Sequence, residues 1–182
     1  MTRDILISPR ASARLVVTMP PTPSRLASAL EKDIASDYVT FTPTTDAFLH
    51  LATVARQRFT IMIPYIDRIG AEWASEIFET TTAKERILII RDAGQLGICG
   101  PAATRLNNAV TCITDYGGAD PAEETFHAKI VLADGIAAYV GSANLLRRSK
   151  ATNLECGMLI EGEAVHAVKV LVEAVTRMAA DA

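Results

Sequence analysis

From Thr44 onward the sequence alternates short apolar runs with segments of helical periodicity, and this alternation limits the fold more than any other feature. Phe59–Ile66 (FTIMIPYI), Arg86–Arg91 (RILIIR) and Ala109–Thr114 (AVTCIT) read as buried strands. Thr44–Arg56, Gly70–Thr81 and Ala102–Asn108 read as helices, the first opened by Thr-Thr-Asp. His127–Ala133 and Ile136–Val140 flank Asp134-Gly135, and Asp-Gly between two β-rich runs is the strongest short-range hairpin signal. A further strand, Leu154–Gly162, and a long helix, Glu163–Met178, follow. Strands that are apolar throughout are covered on both faces, and helices between them supply the covers. The expected fold class is therefore α/β, a mixed β-sheet flanked by helices on both faces.

Ahead of this alternation, Ala13–Met19 reads as a strand and Pro23–Ala35 as a helix, set apart by prolines 20, 21 and 23. Residues 1–42 are expected to form an N-terminal extension, a strand and a helix packed on the main domain of residues 43–182. Two glycine-rich stretches, Asp92–Pro101 (DAGQLGICGP) and Asp115–Thr125 (DYGGADPAEET), read as loops, and long loops in a compact domain commonly carry function.

With 182 residues, 49% of them hydrophobic, the chain can bury one sizeable core. Its net charge of -3 argues against a surface coated in positive charge, so any contact with nucleic acid must come from a local basic patch. The first residues contain no apolar run as long as a secretory h-region, and Ile136–Leu146 is too short and glycine-interrupted to span a bilayer. A cytoplasmic protein with no membrane contact is the expectation. Cys99, Cys112 and Cys156 are an odd number without CxxC spacing, which fits reduced thiols. Cys156, set among apolar residues, reads as a small core residue.

The chemistry is concentrated between Phe126 and Lys150. His127 and Lys129 are two apart in a strand-like run, so an imidazole and an ammonium project to the same side. The hairpin returns Gly141-Ser142-Ala143-Asn144 alongside the start of that run, adding a hydroxyl, an amide and backbone N–H donors. A fixed cation with neutral donors around one imidazole suits an anion, and stabilises the charge that builds on phosphate in a transition state. Arg147, Arg148 and Lys150 follow at once, a basic cluster placed to contact a polyanionic backbone.

The full spacing, HxK(x)4D(x)6GSxN, resembles the HKD signature of the phospholipase D superfamily, and the resemblance extends over about Thr44 to Met178. It implies that His127 is a nucleophile forming a phosphohistidine, that Lys129 and Asn144 bind the phosphate, and that Ser142 hydrogen-bonds near it. Asp134 and Gly141 would be structural parts of the motif, Asp134 lying at the far end of the strand. A nucleophilic imidazole needs an acceptor on its other nitrogen. Glu155, a carboxylate in an otherwise apolar strand, is the expected orienter, as an acidic residue is at a similar place in the superfamily's small nucleases. The segment IPYID resembles the family's first core strand, which ends in Pro-Tyr, so Tyr65 is a candidate pocket residue. His50 and His166 have no motif partner.

Only one HKD motif is present, whereas bilobal members carry two. The small bacterial endonucleases of the superfamily carry one and dimerise, which implies a homodimer with a composite active site. No Asp, Glu, His or Cys cluster has metal-ligand spacing, and neither a metal nor another cofactor is expected. The expected function is a metal-independent phosphodiesterase, a nuclease on DNA or RNA. The alternatives are a phospholipase or phosphatidyl transferase, and a non-catalytic nucleic-acid-binding subunit. Some bacterial defence and DNA-modification-linked systems contain single-motif proteins of this size, so partners from a defence complex belong to the same expectation.

Overall fold

The structure, a computed structural model, describes residues 12–21, 23–29, 41–117 and 125–180. The elements in order are β1 (Ser12–Thr18), α1 (Thr44–Val54), β2 (Arg58–Met62), α2 (Arg68–Thr80), β3 (Glu85–Ile90), a 3-10 helix (Ala93–Cys99), α3 (Pro101–Ala109), β4 (Cys112–Asp115), β5 (Lys129–Ala133), β6 (Ala137–Gly141), α4 (Arg147–Ala151), β7 (Glu155–Glu161) and α5 (Val165–Ala180). Residues 25–29 are also helical, and the rest of the helix expected over Pro23–Ala35 lies outside the described residues.

The strands form one seven-stranded sheet in the order β1-β7-β6-β5-β2-β3-β4. The β2–β3 and β3–β4 pairs are parallel and the other four are antiparallel, so the sheet is mixed. One face is covered by α1, α2 and α3. Phe48, Leu51, Trp73, Phe78 and Leu106 pack there on Phe59, Ile61, Leu88, Val131 and Tyr139. Phe48 stacks on Trp73 at 5.2 Å and meets the edge of Tyr139 at 4.9 Å. The other face carries α5, whose Val165, Val172 and Val175 lie against Met62, Ile89, Ile130, Leu132 and Ala138. Successive residues of β5 thus enter opposite cores, which is why that strand is apolar throughout.

Several boundaries shift for local reasons. α2 begins at Arg68, ahead of Gly70, because the Asp67 side chain caps it and accepts the Gly70 N–H at 2.7 Å. β2 stops at Met62, just before Pro64, which has no N–H to give a neighbour. The stretch Asp92–Pro101 is no open loop: most of it is the 3-10 helix. Asp92 accepts the Gly94 N–H, and Gln95 clamps the β2–α2 connection by donating to the Pro64 carbonyl and accepting from Ile66 N–H. Arg147, Arg148 and Lys150 stand on α4. Cys156 is exposed instead of core, because on β7 Glu155, Gly157 and Leu159 point inward and Cys156 takes the opposite face. In the stretch Asp115–Thr125, residues 118–124 lie outside the described residues. β1, from the N-terminal segment, is the edge strand of the same sheet, paired with β7 from Ser12 opposite Glu161 to Thr18 opposite Glu155.

The β5–β6 hairpin turns at Asp134 (φ 50°) and Gly135 (φ 72°), the left-handed pair that a mirror-image turn requires. The Asp134 carboxylate accepts from the backbone N–H groups of Arg56, Gln57 and Arg58 at 2.7, 2.9 and 2.7 Å. It thereby ties the hairpin tip to the α1–β2 connection. Partial burial works to raise its carboxyl, but the three N–H donors outweigh that and hold it below the ordinary aspartate value.

Candidate active site

His127 is exposed and stands two residues before Lys129, which opens β5. Lys129 is only 4% exposed. Its Nζ lies 2.7 Å from Nδ1 and 3.2 Å from Nε2 of His127, and donates to the His127 carbonyl at 2.6 Å. One ammonium therefore spans the ring and backbone of its neighbour. Burial pushes the Lys129 amine below the ordinary lysine value, and the Glu155 carboxylate partly opposes that.

Gly141 ends β6 directly opposite Lys129 and has Gly157 on its other side. The Tyr139 ring lies over both glycines, and a Cβ on Gly141 would stand 2.3 Å from the Tyr139 hydroxyl oxygen. That crowding accounts for the glycine of the motif. The Ser142 hydroxyl donates to Glu155 and accepts the Cys156 N–H at 3.0 Å, while Ser142 N–H donates to the Cys156 carbonyl at 3.0 Å. Glu155, 4% exposed, takes a second bond from Asn153 Nδ2 at 3.2 Å. No hydrogen bond joins Glu155 to His127 among the described residues. The direct pairing expected from sequence is thus not seen among the described residues, where Glu155 is bound by Ser142 and Asn153. Asn144 donates its backbone N–H to Ser149 at 3.2 Å, and its side-chain Oδ1 is buried without a partner among the described residues.

The chain beyond Asn144 is held by the β2–α2 connection. Asp67 N–H donates to the Leu145 carbonyl at 3.0 Å, and Asp67 Oδ2 accepts the Arg147 N–H at 2.9 Å. Gly70 has Leu145 packed so closely that a Cβ would fall 1.5 Å from its carbonyl oxygen. Asp67 and Gly70 thus set where the motif's tail leaves the site, a role that only long-range contacts reveal. On α4, Arg147 and Arg148 are exposed, whereas Lys150 is drawn to α2, 3.4 Å from Glu76 and 5.8 Å from the Trp73 ring centre.

Tyr65 meets His127 edge to face, ring centres 5.8 Å apart at 68°. Arg91, absent from the sequence reading as a site residue, donates to the Tyr65 hydroxyl at 3.0 Å and stacks over its ring at 5.1 Å. The available signal was a cation just past the carboxyl end of a strand that runs parallel beside the one leading to Tyr65, the end where ligands gather in α/β sheets. Asp134 lies away from these groups, at the hairpin tip. A groove of about 660 Å³ lined by Arg58, Leu132, Asp134, Lys169 and Val172 opens there and contains none of the residues around His127. His50 pairs with Glu161 at 3.2 Å. Among the described residues no three His, Cys, Asp or Glu side chains are grouped to hold a metal, and no helix is long and apolar enough to cross a membrane.

His127 and the buried Lys129 stand at the start of β5, the central strand of the mixed sheet, and Asn144 lies shortly past the end of the neighbouring β6. Residues 48–178 match the family described as Cardiolipin synthase, PLD-like domain, and the chain belongs to this branch of the phospholipase D superfamily, whose members are phosphodiesterases. Its fold is similar to that of Nuc from Salmonella typhimurium, a phospholipase D family member, with 14% identity and a TM-score of 0.58 over 92% of this chain and 93% of that one. NucT from Helicobacter pylori matches at 14% identity and a TM-score of 0.57 over 92% and 97%. Phosphatidylserine synthase from Haemophilus influenzae matches at 15% and 0.54, over 92% of this chain and 38% of that one. At these identities the likeness is one of fold. No curated protein sequence matches the chain.

Proposed function

We propose that the protein is a metal-independent phosphodiesterase that cuts nucleic acid through a phosphohistidine intermediate. The observation that carries this reading is the buried Lys129 ammonium within hydrogen-bond reach of the exposed His127 imidazole. In the proposed reaction a His127 nitrogen attacks phosphorus, an N–P bond forms, and the P–O bond to the leaving group breaks. Lys129 and the Asn144 amide hold the phosphoryl oxygens as charge builds on them, the work a cation performs in metal-dependent enzymes. Water then attacks the phosphohistidine and releases His127. Arg147 and Arg148, exposed beside the motif, supply the local basic patch that a polyanionic substrate needs.

Protonating the leaving oxygen and activating water call for a second acid-base group. A second copy of the chain supplies it in a twofold homodimer whose two His127 side chains face one phosphate. Self-association is supported by an uncovered apolar row: Leu15, Met158 and Val140 stand opposite one another across β1, β7 and β6, each more than a third exposed, and Val140 adjoins Gly141 of the motif. The test incubates pure protein and His127→Ala with single- and double-stranded DNA, RNA and phospholipid micelles. Cleavage of nucleic acid that is lost in His127→Ala supports the proposal. Turnover of lipid alone favours a phospholipase or transferase, and binding without turnover favours a non-catalytic subunit, for instance of a defence complex.

A further inference from the structure

Arg91 is partly buried directly after β3, and among the described residues it pairs with no carboxylate. Among the described residues, the neighbouring acids Asp92 and Asp115 are committed to backbone. Asp92 accepts the Gly94 N–H at 2.7 Å, and Asp115 accepts those of Ala93 and Gly117 at 3.1 and 3.0 Å. A half-buried guanidinium that no described carboxylate pairs carries a desolvation cost that an arriving anion offsets. Among the described residues its one hydrogen bond goes to the Tyr65 hydroxyl, which leaves most of its N–H fork uncommitted by them. Because Tyr65 accepts from Arg91, its own O–H is left to donate, and polarisation by the cation strengthens it as a donor. The Tyr65 ring meets both Arg91 and His127.

We infer that Arg91 and Tyr65 form a second anion subsite that takes the phosphate next to the one being cut, and so select a polynucleotide over an isolated phosphodiester. The inference rests on the nuclease reading above. An arginine fork matches phosphate oxygens two at a time, which a lysine in the same place does not.

The experiment compares wild type with Arg91→Gln, Arg91→Lys and Tyr65→Phe on two substrates: bis(p-nitrophenyl) phosphate, which has a single phosphate, and labelled DNA and RNA oligonucleotides. For Arg91→Gln the oligonucleotide KM should rise about 10- to 100-fold with kcat within about twofold. The salt dependence of binding should lose about one unit of slope. Turnover of the small diester should stay within about twofold, which also establishes that the variant is folded. Arg91→Lys should recover part of the loss, and Tyr65→Phe should lose less than Arg91→Gln. Equal losses on both substrates would overturn the subsite and make Arg91 a positioning residue for Tyr65. Wild-type behaviour of Arg91→Gln on both would remove it from the site altogether. A wild-type protein that hydrolyses the small diester but neither DNA nor RNA defeats the nuclease reading and the subsite together.

Discussion

The Glu155 carboxylate is bound by the Ser142 hydroxyl just past the neighbouring strand, and among the described residues no hydrogen bond takes it to His127. Buried and anionic, it also raises the Lys129 amine against the effect of burial. Glu155→Gln should therefore preserve the fold yet lower kcat/KM, because the Lys129 ammonium loses the carboxylate charge that supports it against burial. Steady-state kinetics on the substrate found for wild type, with circular dichroism as the folding control, tests this. Ordinary turnover in Glu155→Gln would return the residue to a purely structural place.

The pH profile should report Lys129. Phosphate binding needs the ammonium, and burial lowers the pH at which it is lost, so kcat/KM should fall as pH rises at values below the ordinary lysine range near about 10.4. Removing the Glu155 charge takes away the influence that raises this group. In Glu155→Gln the alkaline limb should move to still lower pH, and a limb that stays in place would separate Lys129 from the profile.

Activity should survive excess EDTA, because Lys129 and Asn144 are assigned the charge stabilisation that a divalent ion supplies elsewhere. Complete loss in chelator, restored by magnesium or zinc, would sink the proposed mechanism.

Asp134→Ala should reduce stability by about 1–3 kcal/mol, since three backbone N–H groups lose a charged acceptor. Its carboxyl is held below the ordinary value, so its contribution is present above the unfolded-state pKa and disappears as pH falls through the depressed one. The gap in melting temperature between wild type and Asp134→Ala should accordingly narrow in acid. Turnover of the folded variant should stay near that of wild type, because the hairpin tip lies away from His127.

Light scattering should find a dimer burying on the order of 1,200 Å² or more in total. In mixed dimers of wild-type and His127→Ala chains, the composite-site model requires that activity drop well below that of the wild-type dimer. Full activity in such mixed dimers would mean that each subunit works alone.

The hairpin was legible because its information is local: Asp134-Gly135 fixes the turn, although β5 begins at Lys129 and His127 precedes it, so their contact comes from the Lys129 side chain reaching back and not from strand periodicity. Cys156 was misread because apolar neighbours were given more weight than the alternation of β7, which turns it outward. Glycine content made Asp92–Pro101 look open, although Gln95 fastens it to Pro64 and Ile66 from a distance no local pattern encodes. Asp67, Gly70 and Arg91 were invisible for the same reason. Each acquires its role from a segment brought alongside by the sheet, and Glu155 likewise finds its partners across a strand pair rather than in its own run.

Ser12 and Glu161 hydrogen-bond across 149 positions of sequence. β1 leaves the ribosome long before β7, so their pairing waits until β7 has been made. Contacts of such sequence separation form slowly, because the intervening loop must close before they stabilise anything. Until then the β7 edge, which carries Glu155, shows its unpaired backbone and the apolar side chain of Met158 to other chains. Refolding yield should therefore fall with protein concentration more steeply when β1 is deleted, making this strand a guard against misassembly during synthesis as well as a wall of the finished sheet.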